Sequence, residues 1–173
     1  MLGKIGKSAA PADAVDLLLE CHGRIRAFLA MARRLGEASD ESAEAVSDAA
    51  IQDHRYFTLA LPLHARDEED SILPRLRARD PLLDVQLDVM VREHQEHQRP
   101  LGRLIEACAE IGAHPGRHPG LAGSVLQAAT ELDRHFFHHL AREEEVIFPA
   151  VRRLLDASTD ASIVKEIRLR RSA

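Results

Sequence analysis

Two stretches of the sequence carry the same reactive residues at the same offsets. His64, Glu68, Glu69, Asp70, Ile72, Leu73 and Pro74 recur as His139, Glu143, Glu144, Glu145, Ile147, Phe148 and Pro149. Upstream of each, a further histidine matches: His22 answers to His94, and Leu29 to Leu101. The chain is therefore read as two copies of a helical hairpin, each with one His on its first helix and His-x-x-x-Glu on its second. On a helix, residues i and i+4 lie about 6 Å apart along the axis and roughly 40° apart around it. An imidazole nitrogen and a carboxylate oxygen at that spacing can converge on one point. His22, His64, His94 and His139 all fall inside apolar stripes, so four imidazoles and the carboxylates of Glu68 and Glu143 are aimed at one core layer. Two buried carboxylates without counter-charge cost many kcal/mol. No Lys or Arg stands three or four residues from either glutamate. A pair of bound cations answers that charge, and an imidazole–carboxylate donor set without thiolate suits iron or manganese.

The elements that must hold these residues are helices. An apolar stripe at Val15, Leu18, Leu19, Ile25, Leu29 and Ala32 predicts a first helix over 12–35, with Gly36 as its terminating residue and Ser39 or Asp40 capping the next. The second runs to about residue 79, bent or loosened at Pro62 and Pro74. Asp80-Pro81 reads as a stop and restart, cap followed by first helical residue. The third runs to about Ile111, and a long loop is expected over 112–120. The fourth spans 121–155 with Val125, Leu132, Phe136, Val146 and Ile147 facing inward, and Ser158 or Thr159 caps a short fifth helix. The expected fold is all-α: an up-down-up-down four-helix bundle with a short C-terminal helix. Its parts are a loose arm over 1–11, a bundle over 12–156 made of repeats 12–79 and 81–156, and a helix and tail over 158–173.

Composition closes off other classes. The formal net charge is −5 with basic residues scattered along the chain, which gives no electrostatic case for nucleic acid. Five Phe, one Tyr and no Trp provide no stacking platform. Cys21 and Cys108 share no CxxC spacing and are read as buried thiols in a reducing, cytoplasmic compartment. No apolar run long enough to span a membrane occurs. Glu69, Asp70, Glu144 and Glu145 are read as a solvated face, Tyr56 as packing, and His54, His114, His118 and His138 as surface or loop residues.

The duplicated His-x-x-x-Glu-Glu-x-x-Ile-(Leu/Phe)-Pro, with a His on each preceding helix, resembles the hemerythrin-like HHE cation-binding proteins over roughly residues 15–155. That resemblance implies a non-haem di-iron centre held by His22, His64, Glu68, His94, His139 and Glu143. Both Glu would bridge, an oxo or hydroxo group would complete the bridge, and manganese or zinc would be lesser occupants. His22 and His64 would serve one iron, His94 and His139 the other. It also implies a small ligand: oxygen, peroxide or nitric oxide. Carrier, sensor, scavenger and iron-donor roles stay open, as does turnover. The alternative is a metal-stabilised storage, delivery or interaction module without turnover. Oxygen-carrying hemerythrins have a further His four residues after the third-helix ligand; here that position is Gln98. His97, beside it, and His135, one turn before His139, are the candidates for an extra ligand or a proton relay on one side of the metal pair.

Overall fold

The computed structural model describes residues 13–172, so the expected N-terminal arm lies outside the described residues. Five helices and one short 3-10 turn account for nearly all of them, and no strand occurs among them. We label them α1 (Ala14–Glu37), α2 (43–76), α3 (Pro81–Ala113), α4 (118–154) and α5 (Ala157–Arg170). Helix α1 packs on α4, α4 on α3, α3 on α2 and α2 on α1, and α5 lies across α1 and the end of α2.

Local chemistry sets the helix ends. Asp13 and Asp16 bond reciprocally to each other's backbone amides and start α1 as a capping box. Ser42, rather than Ser39 or Asp40, caps α2 by accepting from the Ala45 amide. Asp80 caps α3 with Pro81 in the first turn, as the sequence predicts. Asp156, rather than Ser158 or Thr159, caps α5 by accepting from the Thr159 amide. The expected long loop is mostly helix: α3 continues to Ala113, Pro115–Arg117 forms the 3-10 turn, and α4 begins at His118.

Gly36 does not terminate α1, which runs on through Glu37. A Cβ at Gly36 would lie 2.6 Å from the backbone nitrogen of Leu126, so glycine is there to let α1 and α4 approach closely. His118, expected at the surface, is buried beside that contact, where its Nε2–H donates to the Leu35 carbonyl at 2.7 Å. That carbonyl belongs to the last turn of α1, where the helix has no further N–H to donate to it. Val146 faces outward rather than inward.

The prolines loosen their helices in a specific way. Tyr56–Ala60, Asp67–Ile72 and Glu143–Ile147 are π-helical. Each is closed by an i to i+5 bond from the residue just before a proline: Leu61 to Tyr56, Leu73 to Glu68, and Phe148 to Glu143. A proline has no N–H to give, and its ring pushes against the carbonyl four residues back. The wider turn relieves that clash without ending the helix.

Two apolar clusters fill the interior. One gathers Ile25, Leu29, Phe57, Leu104, Ile111 and Leu132, the other Leu18, Ile72, Leu87, Ile147, Val151 and Ile163. Cys108 and Tyr56 belong to the first, and Tyr56 stacks on Phe28 as packing. Asp53 is wholly buried in α2, and neither carboxyl oxygen has a hydrogen-bond partner among the described residues. Burial pushes its pKa up to about 7, an effect that Arg34 only partly offsets.

A carboxyl whose native pKa is raised stabilises the fold while protonated and loses that contribution as pH climbs through the native value. Asp53 should therefore erode stability between about pH 4 and pH 7, by up to about 4 kcal/mol. Asp53→Asn should abolish that slope, gaining on the native chain as pH rises, whatever constant offset the amide brings. Urea denaturation at pH 4.5, 6 and 8 measures it. Parallel pH profiles for the two proteins would show that Asp53 does not titrate in this range.

Candidate metal centre

Between the two apolar clusters lies a polar layer built from all four bundle helices. His22 comes from α1, His64 and Glu68 from α2, His94 from α3, and His139 and Glu143 from α4. All six are buried. The layer brings together each residue that the sequence singles out for metal. Donor atoms of His22, His64, Glu68 and Glu143 lie within 4.8 Å of one another, and so do those of Glu68, His94, His139 and Glu143. The two groups share both glutamates. His64 Nε2 and His94 Nε2 each stand 3.3 Å from a Glu68 oxygen, while His22 Nε2 and His139 Nε2 stand 3.2 and 3.1 Å from Glu143 oxygens. Yet none of these four nitrogens and four oxygens has a partner in hydrogen-bond geometry among the described residues.

Two of the glutamates read as solvated from sequence orient this layer. Glu144 Oε1 accepts from His22 Nδ1 at 2.7 Å, and Glu69 Oε1 accepts from His94 Nδ1 at 2.6 Å. Glu93, which sequence reasoning passed over, accepts from His139 Nδ1 at 3.0 Å. An ionised carboxylate only accepts, so each of these contacts fixes the proton on Nδ1 and aims Nε2 inward. A carboxylate behind the far ring nitrogen is the usual support of a metal-binding histidine. Asp70 and Glu145 are exposed as expected. The signal for Glu69 and Glu144 was present in the doubled Glu-Glu of both repeats; Glu93 has no such mark, because its counterpart in the first repeat is Cys21. His64 Nδ1 accordingly has no partner among the described residues.

The electrostatics show how strongly the layer calls for positive charge. Burial opposes charging His22 and His94, but the closeness of the Glu143 and Glu68 carboxylates outweighs it and pushes them up to about 10 and about 9. Burial, with repulsion from the imidazoles of His22, His139 and His94, takes His64 down to about 3 against the pull of Glu68. Burial also works to raise Glu68, yet the surrounding imidazoles hold it well below the usual carboxylate range. Glu143 is raised, by burial and by the Glu68 charge. One carboxylate is satisfied at the other's expense. The orphaned oxygens, the inward nitrogens and the absence of thiolate fit a pair of cations of the iron or manganese kind.

His97 and His135 take different places. His97 is buried, its ring centroid 5.0 Å from that of His139, and it lines a cavity that reaches the layer. Burial holds its pKa down to about 3, so the ring is neutral. His135 stands behind it, ring centroids 5.8 Å apart, outside the cavity lining and with Nδ1 buried and unpartnered among the described residues. His114 and His138 are exposed, and neither thiol joins the layer.

The π-helical stretch that carries Glu68 is held from outside by α5. Asp67 is fully buried and receives Arg170 at 2.8 Å and Arg171 at 2.6 Å. Arg170 also reaches Ser71, which bonds Glu166, which in turn pairs with Arg75. Burial raises the Asp67 carboxyl in spite of both guanidiniums.

A family model, the Hemerythrin HHE cation binding domain, matches residues 13–151. Uncharacterised proteins of Mycobacterium bovis and of two Mycobacterium tuberculosis strains are each 28% identical over 153 residues. The match covers 85% of this chain and 56% of each relative, so the chain spans about half the length of the curated relatives it matches.

Taking both guanidiniums from Asp67 leaves a buried carboxyl without counter-charge, a loss of about 3–5 kcal/mol. Arg170→Ala with Arg171→Ala should show that loss by urea denaturation, and adding Asp67→Leu should restore most of it. A loss under about 1 kcal/mol, as for a surface pair, would mean α5 does not brace this stretch.

Proposed function

Because the chain belongs to the hemerythrin HHE cation-binding family, we propose that it is a non-haem di-iron protein, with His22, His64, Glu68, His94, His139 and Glu143 holding two iron ions. The observation that carries this reading is the pair of donor groups sharing Glu68 and Glu143, each drawn within 4.8 Å. We take His22 and His64 to serve one ion, His94 and His139 the other, and both glutamates to bridge. The bundle is taken as up-down-up-down, two hairpin repeats joined at Asp80-Pro81. Among the described residues no helix is long and apolar enough to cross a membrane, and we place the protein in the cytoplasm.

The activity we infer is binding of, or reaction with, a small ligand: oxygen, peroxide or nitric oxide. Iron supplies the ligand-binding position and the electrons when bound. The chain's own contribution is positional. Glu144, Glu69 and Glu93 hold three imidazoles with Nε2 inward. The apolar clusters close the layer above and below, and the cavity beside His97 gives a small ligand an approach to it. His97, neutral and on the cavity wall, presents a ring that can give or take a hydrogen bond at an incoming ligand. His135 acts through His97 rather than on the ligand.

Purified protein should contain close to two iron ions per chain, with an optical spectrum that changes on reduction and again on adding oxygen, peroxide or nitric oxide. One ion or none after iron-replete expression sinks the di-iron reading, and zinc alone would indicate a structural module. His97→Leu should keep both ions and the resting spectrum while slowing reaction with hydrogen peroxide by about 10²–10⁴-fold, the range for a positioned proton donor. His64→Leu should lose metal instead. Stopped-flow rates of His97→Leu equal to those of the native chain would make His97 a bystander.

A further inference from the structure

The cavity that reaches the metal layer is far larger than a diatomic ligand needs. It measures about 590 Å³. A water molecule's share of liquid volume is about 30 Å³, and a diatomic is of that order. Sites for drug-sized organic molecules run to about 300–1,000 Å³. The cavity lies between α2 and α3, entered beside Thr58, Gln95 and Gln98. Its walls are Phe57, Leu61, Pro62, Leu101, Ile105 and Phe136, and its inner end is formed by His64, His94, His97 and His139.

Its position follows from the asymmetry of the two repeats. The π-helical stretch Tyr56–Ala60 and Pro62 precede His64, whereas the matching stretch before His139 is plain α-helix and the residue matching Pro62 is Phe137. The wide turn and the proline shape α2 on the side facing α3, where the second repeat has no such device. Phe137 itself points to solvent.

From this we infer that the cavity binds an uncharged organic molecule with an apolar body about the size of a naphthalene ring. Its single hydroxyl-type head, R–OH or R–OOH, sits on His97. Among the described residues the lining contains no Lys or Arg to pair with a charged body, and Glu69 at its edge disfavours an anion. Phe57, Leu61, Leu101 and Phe136 are buried side chains and Pro62 and Ile105 are more open, so the space is walled by apolar surface that suits an apolar body. His97 forms part of the inner end of the cavity, and an imidazole there has one ring nitrogen to donate and one to accept from such a head. This inference deepens the proposed di-iron reading by naming a ligand class for the same site, and the cavity exists apart from any ion.

The test uses 1-naphthol, followed by its own fluorescence with excitation at the red edge of its absorption, beyond that of tyrosine and tryptophan. It is titrated into the full chain, metal-free and iron-loaded. Ile105→Trp and Thr58→Trp, at partly exposed positions of the lining, fill the cavity; Leu82→Trp, on the surface of α3, is the control. Metal content and melting temperature are recorded for each. We expect naphthol to bind the native chain and the control alike, and both filled variants to lose at least tenfold in affinity with metal content unchanged. 1-Methoxynaphthalene, with the same body and no hydroxyl, should bind at least fivefold more weakly than naphthol, and His97→Leu should erase that difference. Failure of naphthol to bind, or equal binding by the filled variants, overturns the inference while leaving the iron count to stand. Equal binding of the two naphthalenes overturns the placement of the head on His97. An iron count below two with naphthol still bound and displaced by filling would refute the di-iron reading and keep the cavity as an organic-ligand site.

Discussion

Two carboxylates set deep between apolar cores, with no lysine or arginine paired to them among the described residues, impose the main constraint on this molecule. Glu68 and Glu143 are at most 1% exposed, and among the described residues their oxygens are met by imidazole nitrogens. Burying such charge is tolerable only if positive charge arrives with it. The rise of His22 and His94 to about 10 and about 9 is the same demand expressed through protons. Every bundle helix must deliver a residue to this one layer, which is why the apolar core is divided in two and why α5 braces α2 beside Glu68.

The support of the layer is exchanged between the repeats. Glu69 of the first repeat orients His94 of the second, and Glu144 of the second orients His22 of the first. Neither hairpin can assemble its half of the layer alone. The bundle thus gains a reason to close beyond apolar burial, and an error in one helix's rotation is felt on the facing side.

The fold class and the six central residues were legible because they rest on periodicity and on a repeated spacing, both properties of one helix at a time. The roles of Glu69 and Glu144 are hidden from the sequence for the same reason. About 100° around their own helix from the central Glu, they look solvated until the neighbouring helix is placed, and then each meets a ring nitrogen. His118 was misplaced because its acceptor, the Leu35 carbonyl, lies at the far end of another helix. Gly36 has the composition of a helix end, but its role is set by Leu126 across the interface. Caps slipped by a few residues wherever several Ser, Thr or Asp stood together, as at Ser39, Asp40 and Ser42. The cavity follows from a turn type that leaves only a proline in the sequence.

The π-helical stretches also bear on how this chain can change length. Each wide turn holds one residue more than the α-turn it replaces. Taking one residue from 56–60, together with replacing Pro62, would leave an ordinary α-turn there and keep the faces on either side, Val46, Ala50 and Asp53 before it and His64 and Glu68 after it, directed as they are. The second repeat, plain α-helix ahead of His139, shows the same layer reached without that turn. A one-residue difference between related chains can therefore be taken up inside a helix of this bundle, at a wide turn, as well as in the connections at 38–42 and 77–80.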